Sequence, residues 1–342
     1  MDDNVSADVP PQPEPVAGDA LAGVWRRLLA FLIDCLLLGL FGQALGLIAP
    51  DQLAALGNWG RALGFAIATT YFAVMDSRLF GGQSLGARLS KIRVVTRDGR
   101  ALGLGASMLR TTLFTLPYCL NGAAISIDPS MSLAMVLFSI VVFGLGLSIV
   151  YLFLFNRSTR QCPHDLAVGA YVVKAEYTQP LTVGSIWRGH FVVLAVILLI
   201  VGVVPLYASK LARQSPFAEL MSVQQAVLSL PGVEFASVNQ SHNSMVVFGK
   251  GKTITDVLSA RVRVSDKAIA RSELANRVAA VILEQYPASA QQDRITISMD
   301  YGFDIGIASS WHSEHVSLPP GEWRQRLTAA AEAKAVMPAT QE

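Results

Sequence analysis

The residues best placed to do chemistry are charged or titratable groups next to apolar segments. The stretch "WRRLLAFLIDCLLLGL", residues 25–40, holds Asp34 in the middle of an apolar run that Arg27 opens. Much later in the chain, His164 and Asp165 follow another long apolar run. A carboxylate inside a membrane is costly unless a partner or a water-filled cavity compensates it, and such residues often mark proton or ion pathways. Two interpretations of Asp34 stay open: a neutral acid bonded to a neighbouring helix, or a group that helps move protons, ions or substrate.

The composition is that of a membrane protein with a soluble domain. Hydrophobic residues make up 52% of the 342 residues and charged residues only 15%, whereas soluble proteins carry about 25% charged residues. Most of the apolar residues precede position 210, and the remainder has an ordinary soluble composition. A net charge of +2 gives no reason to expect nucleic acid as a partner.

Five stretches are apolar for about the 20 residues that a membrane helix needs. Lys and Arg are concentrated before the first stretch, between the second and third, and between the fourth and fifth. Because cytoplasmic loops are enriched in these residues, we predict a cytoplasmic N-terminus and an extracytoplasmic C-terminal domain. The predicted spans are about 25–48, 58–77, 108–127, 132–155 and 187–207.

These spans predict an all-α transmembrane bundle of about five helices followed by a small soluble α+β domain. The first residues are acidic and rich in proline, as in a disordered tail, and lack the basic start of a cleaved signal peptide. The C-terminal part alternates helical and period-two patterns, which indicates a two-layer sandwich. The predicted domains are 1–21 (tail), 22–174 (membrane core), 175–210 (linker and fifth helix) and 211–342 (soluble domain).

The spacing of Arg27 and Asp34 indicates whether the two residues can pair with each other. Arg27 and Asp34 are seven residues apart and share a helix face, but at about 1.5 Å per residue they lie roughly 10 Å apart along the axis. Each therefore needs a different partner. We predict a bidentate bond from Arg27 to Asp165 that latches the first helix to the loop after the fourth. His164 has two open interpretations, a proton relay or a structural hydrogen-bonding group.

The basic loop between the second and third spans predicts a surface helix. In residues 83–93, leucine and isoleucine recur at helical spacing with basic residues on other faces, which is typical of an amphipathic helix on anionic lipid. A gate is the alternative, because glycines flank the segment. The stretch "IRVVTRDGRAL" that follows predicts a hairpin turning at Asp98 and Gly99. The residues that carry the pattern are Leu85, Leu89 and Ile92, with Arg88 and Lys91.

Signals for an enzyme or a cofactor are weak. "GKGKTIT", residues 249–255, resembles a phosphate-binding loop but has Val246 where the motif requires glycine. The three cysteines form neither a disulfide framework nor a metal motif. The pair His312 and His315, around a glutamate, gives only a weak metal pattern. We therefore expect no enzyme activity, no cofactor and no metal.

Three ordered blocks resemble the RDD family of small bacterial membrane proteins. They are "GVWRRLLAFLIDCLLL", "GGQSLGARLSKIRVVTRDGRALGLGASMLR" and "RQCPHDLAVGAYVV", within about 22–174, and Cys162-Pro163 replaces the family's usual glycine-leucine. The resemblance implies that Arg27, Asp34 and Asp165 are the family's arginine and two aspartates. The supporting motif residues that it implies are Gly82, Gln83, Gly86, Arg88, Arg93, Arg110 and His164.

Two functions fit the sequence. The resemblance implies transport of an ion, proton or small solute, with Asp34 as the polar centre. The alternative is a non-catalytic membrane scaffold or regulator whose external domain binds a partner. A core of four spans is small for a transport path, so we expect a homo-oligomer or an unknown membrane or periplasmic protein partner. The resemblance also implies a bacterial inner membrane with the soluble domain in the periplasm.

Overall fold

The structure is a computed structural model that describes residues 20–123, 132–247, 251–264, 266 and 271–336. The chain divides into two compact units, and some long helices contribute to both. Unit 1 comprises Met1–Leu37, Ile67–Pro117 and Phe143–Leu199, and unit 2 comprises Leu38–Ala66, Tyr118–Val142 and Ile200–Glu342.

The membrane part of the chain is helical. Among the described residues, three helices are long and apolar enough to cross a membrane: Val24–Ile48, Leu133–Phe155 and Gly189–Ala212. The second of them contains a short π-helical segment. The helices of this part are α1 (Val24–Ile48), α2 (Pro50–Ala55), α3 (Gly60–Met75), α4 (Leu85–Leu89), α5 (Leu104–Leu120), α6 (Ser132–Ser139), α7 (Gly146–Phe155), α8 (Pro163–Leu166) and α9 (Gly189–Ala212).

The first, fourth and fifth predicted spans therefore correspond to long apolar helices. The second and third correspond to α3 with 16 residues and α5 with 17. Residues 76 and 77 of the second predicted span lie beyond the end of α3, and residues 124–127 of the third predicted span lie outside the described residues. A turn follows α3, and α5 stops at Leu120, three residues beyond Pro117.

A two-stranded antiparallel sheet in unit 1 joins two loops that are far apart in sequence. Strand β1 (Ile92–Thr96) pairs with β2 (Ala170–Lys174). The predicted turn at Asp98 and Gly99 exists, with Gly99 at a φ of 75°. The Thr96 N–H donates to the Arg100 carbonyl across this turn, but the strand that pairs with β1 comes from beyond the fourth span, so the predicted second strand of the hairpin was wrong.

The predicted amphipathic helix over 83–93 is also shorter than expected. It covers only α4, and Ile92 belongs to β1 and is buried. Leu89 remains 71% exposed, so an apolar surface does persist on this segment.

Most of the predicted tail lies outside the described residues, which begin at position 20. Ala20 and Leu21 are buried, and Leu21 forms a bridge with Val173 of β2. Ala22 donates a hydrogen bond to the Val172 carbonyl. Residues 20 and 21, which were predicted to belong to the tail, thus pack against β2.

The C-terminal domain in unit 2 is a two-layer α+β fold, as predicted. A four-stranded sheet in the order β3-β4-β5-β6 packs one face against helices. The pair β4–β5 is parallel and needs a crossover connection, which the helix between them provides. Trp323 is fully buried and its indole N–H donates to the Ile295 carbonyl. The elements are α10 (Phe217–Leu228), β3 (Val233–Val247), β4 (Gly251–Val264), α11 (Arg271–Gln285), β5 (Arg294–Asp304), β6 (Ser309–Leu318) and α12 (Pro320–Val336).

Glycines in unit 2 allow the tip of the β5–β6 hairpin to lie directly against helix backbones. A Cβ at Gly42 would lie 2.7 Å from the Ala308 Cβ, and one at Gly60 would lie 2.7 Å from the Asp304 carbonyl oxygen. A Cβ at Gly64 would overlap the Ile305 carbonyl oxygen. The hairpin tip is thus packed backbone to backbone, which only glycine permits.

This packing gives a first prediction. Gly64→Ala should destabilise the protein by about 1–3 kcal/mol, the usual cost of overpacking, because the Ile305 carbonyl must move. Thermal unfolding of the purified protein in detergent measures the loss. Gly105→Ala is the matched control, since a Cβ there meets nothing within 4 Å. Equal melting temperatures for the two variants would show that the hairpin is not held at this position.

Candidate functional site

Asp34 lies in unit 1 with only 2% of its surface exposed, and three donors surround its carboxylate. Its Oδ1 accepts hydrogen bonds from the Tyr71 hydroxyl at 2.6 Å and from the Gly86 N–H at 2.8 Å. Its Oδ2 accepts from the Ser84 hydroxyl at 2.5 Å. The donors come from α3 and from the start of α4, so Asp34 joins the first helix to both.

The direction of these hydrogen bonds is fixed by the neighbouring backbone. The Ser84 hydroxyl accepts the N–H of Ala87, as an N-cap residue does, and the Tyr71 hydroxyl accepts the N–H of Leu85. Each hydroxyl therefore directs its own proton to Asp34. An arrangement of three donors and no acceptor suits a carboxylate and not a protonated acid. Arg27 is not a partner of Asp34, as the spacing predicts.

Gly86 makes this contact sterically feasible. A Cβ at position 86 would overlap the Ala30 carbonyl oxygen and would lie 2.8 Å from the Asp34 Oδ2. Helix α4 therefore approaches α1 at backbone distance, and the glycine lets its N–H reach the carboxylate.

Asp165 is the centre of a second cluster and is fully buried. Its Oδ2 lies 3.2 Å from Nη2 of Arg27 and accepts the Cys162 N–H at 3.0 Å. Its Oδ1 lies 2.8 Å from Nε of Arg110. The sequence predicts a bidentate bond from Arg27, whereas in the structure two different arginines each bind one oxygen.

The cluster continues through Arg110 to a fourth charged group. Nη1 of Arg110 lies 2.6 Å from Asp76, which directly follows α3. Arg27 also donates to the Arg160 carbonyl and stacks over the Phe153 ring. The charges of Arg27, Asp165, Arg110 and Asp76 balance, which is the condition under which buried ions are tolerated. The four groups connect α1, α3, α5 and the loop around α8.

His164 is buried beside this cluster and its ring packs edge-on against Phe114. Burial and the guanidinium groups of Arg110 and Arg27 lower the pKa of His164 to about 3, although Asp165 acts in the opposite direction. Burial alone would raise the pKa of Asp165, but His164, Arg110 and Arg27 hold it well below its usual range. His164 is neutral at pH 7, so at that pH the two arginines are the groups that keep the pKa of Asp165 low.

Cys162, His164 and Asp165 offer ligand atoms within 4.8 Å of one another, but they do not suit a metal ion. Burial raises the pKa of the Cys162 thiol to about 11, so it is a neutral group beside the ion pairs. Both oxygens of Asp165 already bind guanidinium groups. The cluster is an ion-pair centre.

The supporting motif residues shape the loop that contains Ser84. Gly82 has a φ of 77° and its carbonyl accepts the Val94 N–H. The Gln83 amide donates to the Ile92 carbonyl at 2.8 Å, and Arg93 donates to the Tyr177 carbonyl at 2.8 Å. Arg88 is exposed and stacks over Phe80. Gly82, Gln83 and Arg93 thus hold the loop in place beside β1, whereas the motif residues Arg110 and His164 lie in or beside the charged cluster.

A cavity of about 320 Å³ lies beside both clusters in unit 1. Its wall is mainly apolar and includes Leu28, Phe31, Val150 and Phe153. The polar part of the wall is formed by Arg27, Asp34, Asp76, Ser84, Arg93, Arg110, Thr111, Cys162 and His164. Apolar pockets with a few convergent polar groups are the usual form of small-molecule sites.

Sequence reasoning missed Asp76, Tyr71 and Ser84 as partners. The sequence pattern could have indicated Asp76, because an acid at the end of an apolar helix needs a cation as a partner. No pattern indicated the hydroxyl groups of Tyr71 and Ser84, since serine and tyrosine are common on membrane helices and loops for many reasons.

Fold and site together define a helical, membrane-type protein whose core is tied by buried arginine–aspartate contacts. A sequence model described as "RDD family" matches residues 21–169, so this part of the chain is an RDD family domain. The chain is 24% identical over 154 residues to a Bacillus subtilis (strain 168) protein named "Uncharacterized protein YckC", which covers 45% of this chain and 85% of that protein. No solved structure matches the chain.

The shared carboxylate of Asp165 gives a second prediction. Asp165→Asn should cost about 3–5 kcal/mol of unfolding free energy, because it leaves buried arginines unpaired. A double-mutant cycle of Arg27→Ala with Asp165→Asn should show a coupling of about 0.5–3 kcal/mol. The exposed Arg26 is the control, since Arg26→Ala should not couple to Asp165→Asn. If the effects of Arg27→Ala and Asp165→Asn on the free energy of unfolding were additive, the two residues would not be coupled and the predicted latch would be wrong.

The low pKa of His164 gives a third prediction. An unfolded histidine binds a proton below pH about 6.5, whereas His164 in the folded protein does so only near pH 3. Stability conferred by the neutral ring is therefore fully present above pH 6.5 and falls as pH decreases, by up to about 1.4 kcal/mol per pH unit. Melting temperatures between pH 7 and 4.5 should fall less steeply in His164→Gln than in wild type. The exposed His315 supplies the control, and His315→Gln should keep the wild-type slope.

Proposed function

We propose that this chain is a membrane transport protein whose core moves a proton, ion or small solute past Asp34. The observation that carries the proposal is the cavity of about 320 Å³ that borders Asp34, Asp76 and Arg110. If the buried charges only held the helices together, we would expect close packing around them, as in other protein interiors. The protein acts without catalysis in this proposal.

The membrane arrangement is part of the same proposal. Helices α3 and α5 complete five spans, the N-terminus is cytoplasmic, and the C-terminal domain lies outside the inner membrane. The distribution of Lys and Arg between the spans supports this orientation. Exposed Arg88 and Leu89 support contact of α4 with anionic lipid on the cytoplasmic side. A homo-oligomer would supply the walls that a five-helix chain lacks.

A scaffold or regulator is the second candidate, and one observation favours it. Asp34 already accepts three hydrogen bonds and Asp165 binds two arginines. Groups satisfied in this way hold helices together without moving any solute. In that case the C-terminal domain would bind a partner protein.

A flux experiment distinguishes the two and is the fourth prediction. Purified protein in liposomes is tested with proton, sodium and potassium gradients, and Asp34→Asn should reduce the flux at least about tenfold, as expected when the essential charge of a pathway is removed. Asp98→Asn, the same change on an exposed turn, should leave the flux unchanged. Folding of each variant is checked by its elution as a single species and by its melting temperature.

Wild-type protein that carries no flux under any of these gradients, while Asp34→Asn lowers its stability, would favour the scaffold. Equal flux in wild type and in folded Asp34→Asn would show that transport does not depend on Asp34.

A further inference from the structure

We propose that the cavity of unit 1 binds an uncharged amphiphile with a single apolar tail and a hydroxyl or carbonyl head, taken up from the lipid bilayer. The inference rests on the proposed function and deepens it by naming the ligand class of the same cavity. It makes a claim about binding, which can be measured without flux.

The size and lining of the cavity fit one apolar chain. A volume of about 320 Å³ is at the lower end of the range for small-molecule sites. The wall is formed largely by aliphatic and aromatic side chains, including Leu28, Phe31, Val150, Phe153 and Leu154. A small head and part of a single tail fit this space, whereas a two-chain lipid exceeds it.

The same apolar side chains are exposed on the helix surface. Val150 is 55% exposed and Leu154 is 49% exposed, although both line the cavity. They belong to α7, part of a helix that is long and apolar enough to cross a membrane. The cavity therefore opens on a surface that faces lipid, and its natural ligand is a molecule dissolved in the bilayer.

The polar part of the wall has unused hydrogen-bonding capacity. Arg110 uses Nε and Nη1 for Asp165 and Asp76, but its Nη2 makes no hydrogen bond to any residue that the structure describes. His164 is 4% exposed, and its Nδ1 is buried without a partner within the described part of the chain. Buried polar groups without partners are rare and costly. A hydroxyl group can accept from Arg110 and donate to His164.

The charges around the cavity favour an uncharged head. The three arginines Arg27, Arg93 and Arg110 are matched by the three aspartates Asp34, Asp76 and Asp165, so the formal charges beside the cavity sum to zero. A carboxylate or phosphate head would add a buried charge without a counterion, which is strongly unfavourable. A hydroxyl head fills both open hydrogen bonds, and a carbonyl head fills the one from Arg110, without disturbing this balance.

The test uses the full chain in lipid nanodiscs and three synthetic probes of equal length: a diazirine-bearing hexadecanol, the corresponding hexadecane and the corresponding hexadecanoic acid. We expect the alcohol to label residues 24–37 and 146–155 saturably, with displacement by unlabelled hexadecanol. The alkane and the acid should label these segments at least about tenfold more weakly, as one ordinary lost hydrogen bond or more implies.

Matched variants locate the site. Leu28→Trp and Val150→Trp fill the cavity and should abolish saturable labelling, whereas Leu32→Trp and Leu147→Trp, at exposed positions outside its wall, should not. His164→Leu should weaken the alcohol about tenfold. His190→Leu is the control, because His190 is equally buried but bonds Tyr151 and lies outside the cavity wall.

Labelling that never saturates, or that persists in both filling variants, would identify ordinary annular lipid and overturn the proposal. An acid that competes as well as the alcohol would overturn the uncharged head. If the protein showed saturable labelling but no flux, the transport proposal would be wrong and the proposed binding site would stand. If it showed flux but no saturable labelling, the proposed binding site would be wrong and the transport proposal would stand.

Discussion

The sharing of the Asp165 carboxylate between two arginines is the constraint on which the core of unit 1 depends. Each oxygen binds one guanidinium group, and the second arginine passes the contact on to Asp76. None of these four groups is stable alone in an apolar environment, but together they are neutral. The backbone segments that carry them must therefore come together as a set, which fixes three helices and one loop in a single arrangement.

Asp34 is compensated by different chemistry. Within the part of the chain that the structure describes, Asp34 has no arginine partner and is held by two hydroxyl groups and one backbone N–H. The backbone N–H groups of Leu85 and Ala87 orient the two hydroxyl groups, so this centre is ordered without an ion pair. The core thus combines an ion-paired centre with one that is held by neutral donors, and the cavity borders both.

The sequence predicted what depends on local patterns. The first, fourth and fifth spans, the α+β character of the C-terminal domain and the need of Arg27 and Asp34 for separate partners follow from hydropathy and helical spacing. The role of Arg110 as a bridge did not follow, because it depends on three segments meeting in space. The pairing of β1 with β2 was missed for the same reason. The turn at Gly99 is local, but the partner strand lies beyond the fourth span. Gly86 stands out in the sequence only as a motif residue of the family resemblance, and its close approach to Ala30 becomes visible only once both helices are placed.

The glycines that receive the β5–β6 hairpin have a consequence for biogenesis. Gly42, Gly60 and Gly64 are synthesised about 240 residues or more before the hairpin residues that cover them. Until the hairpin has been made, these helix backbones keep bare surface that lipid or a neighbouring helix must cover. Unit 2 therefore cannot close when its helices are complete, but only once the distant hairpin has been synthesised.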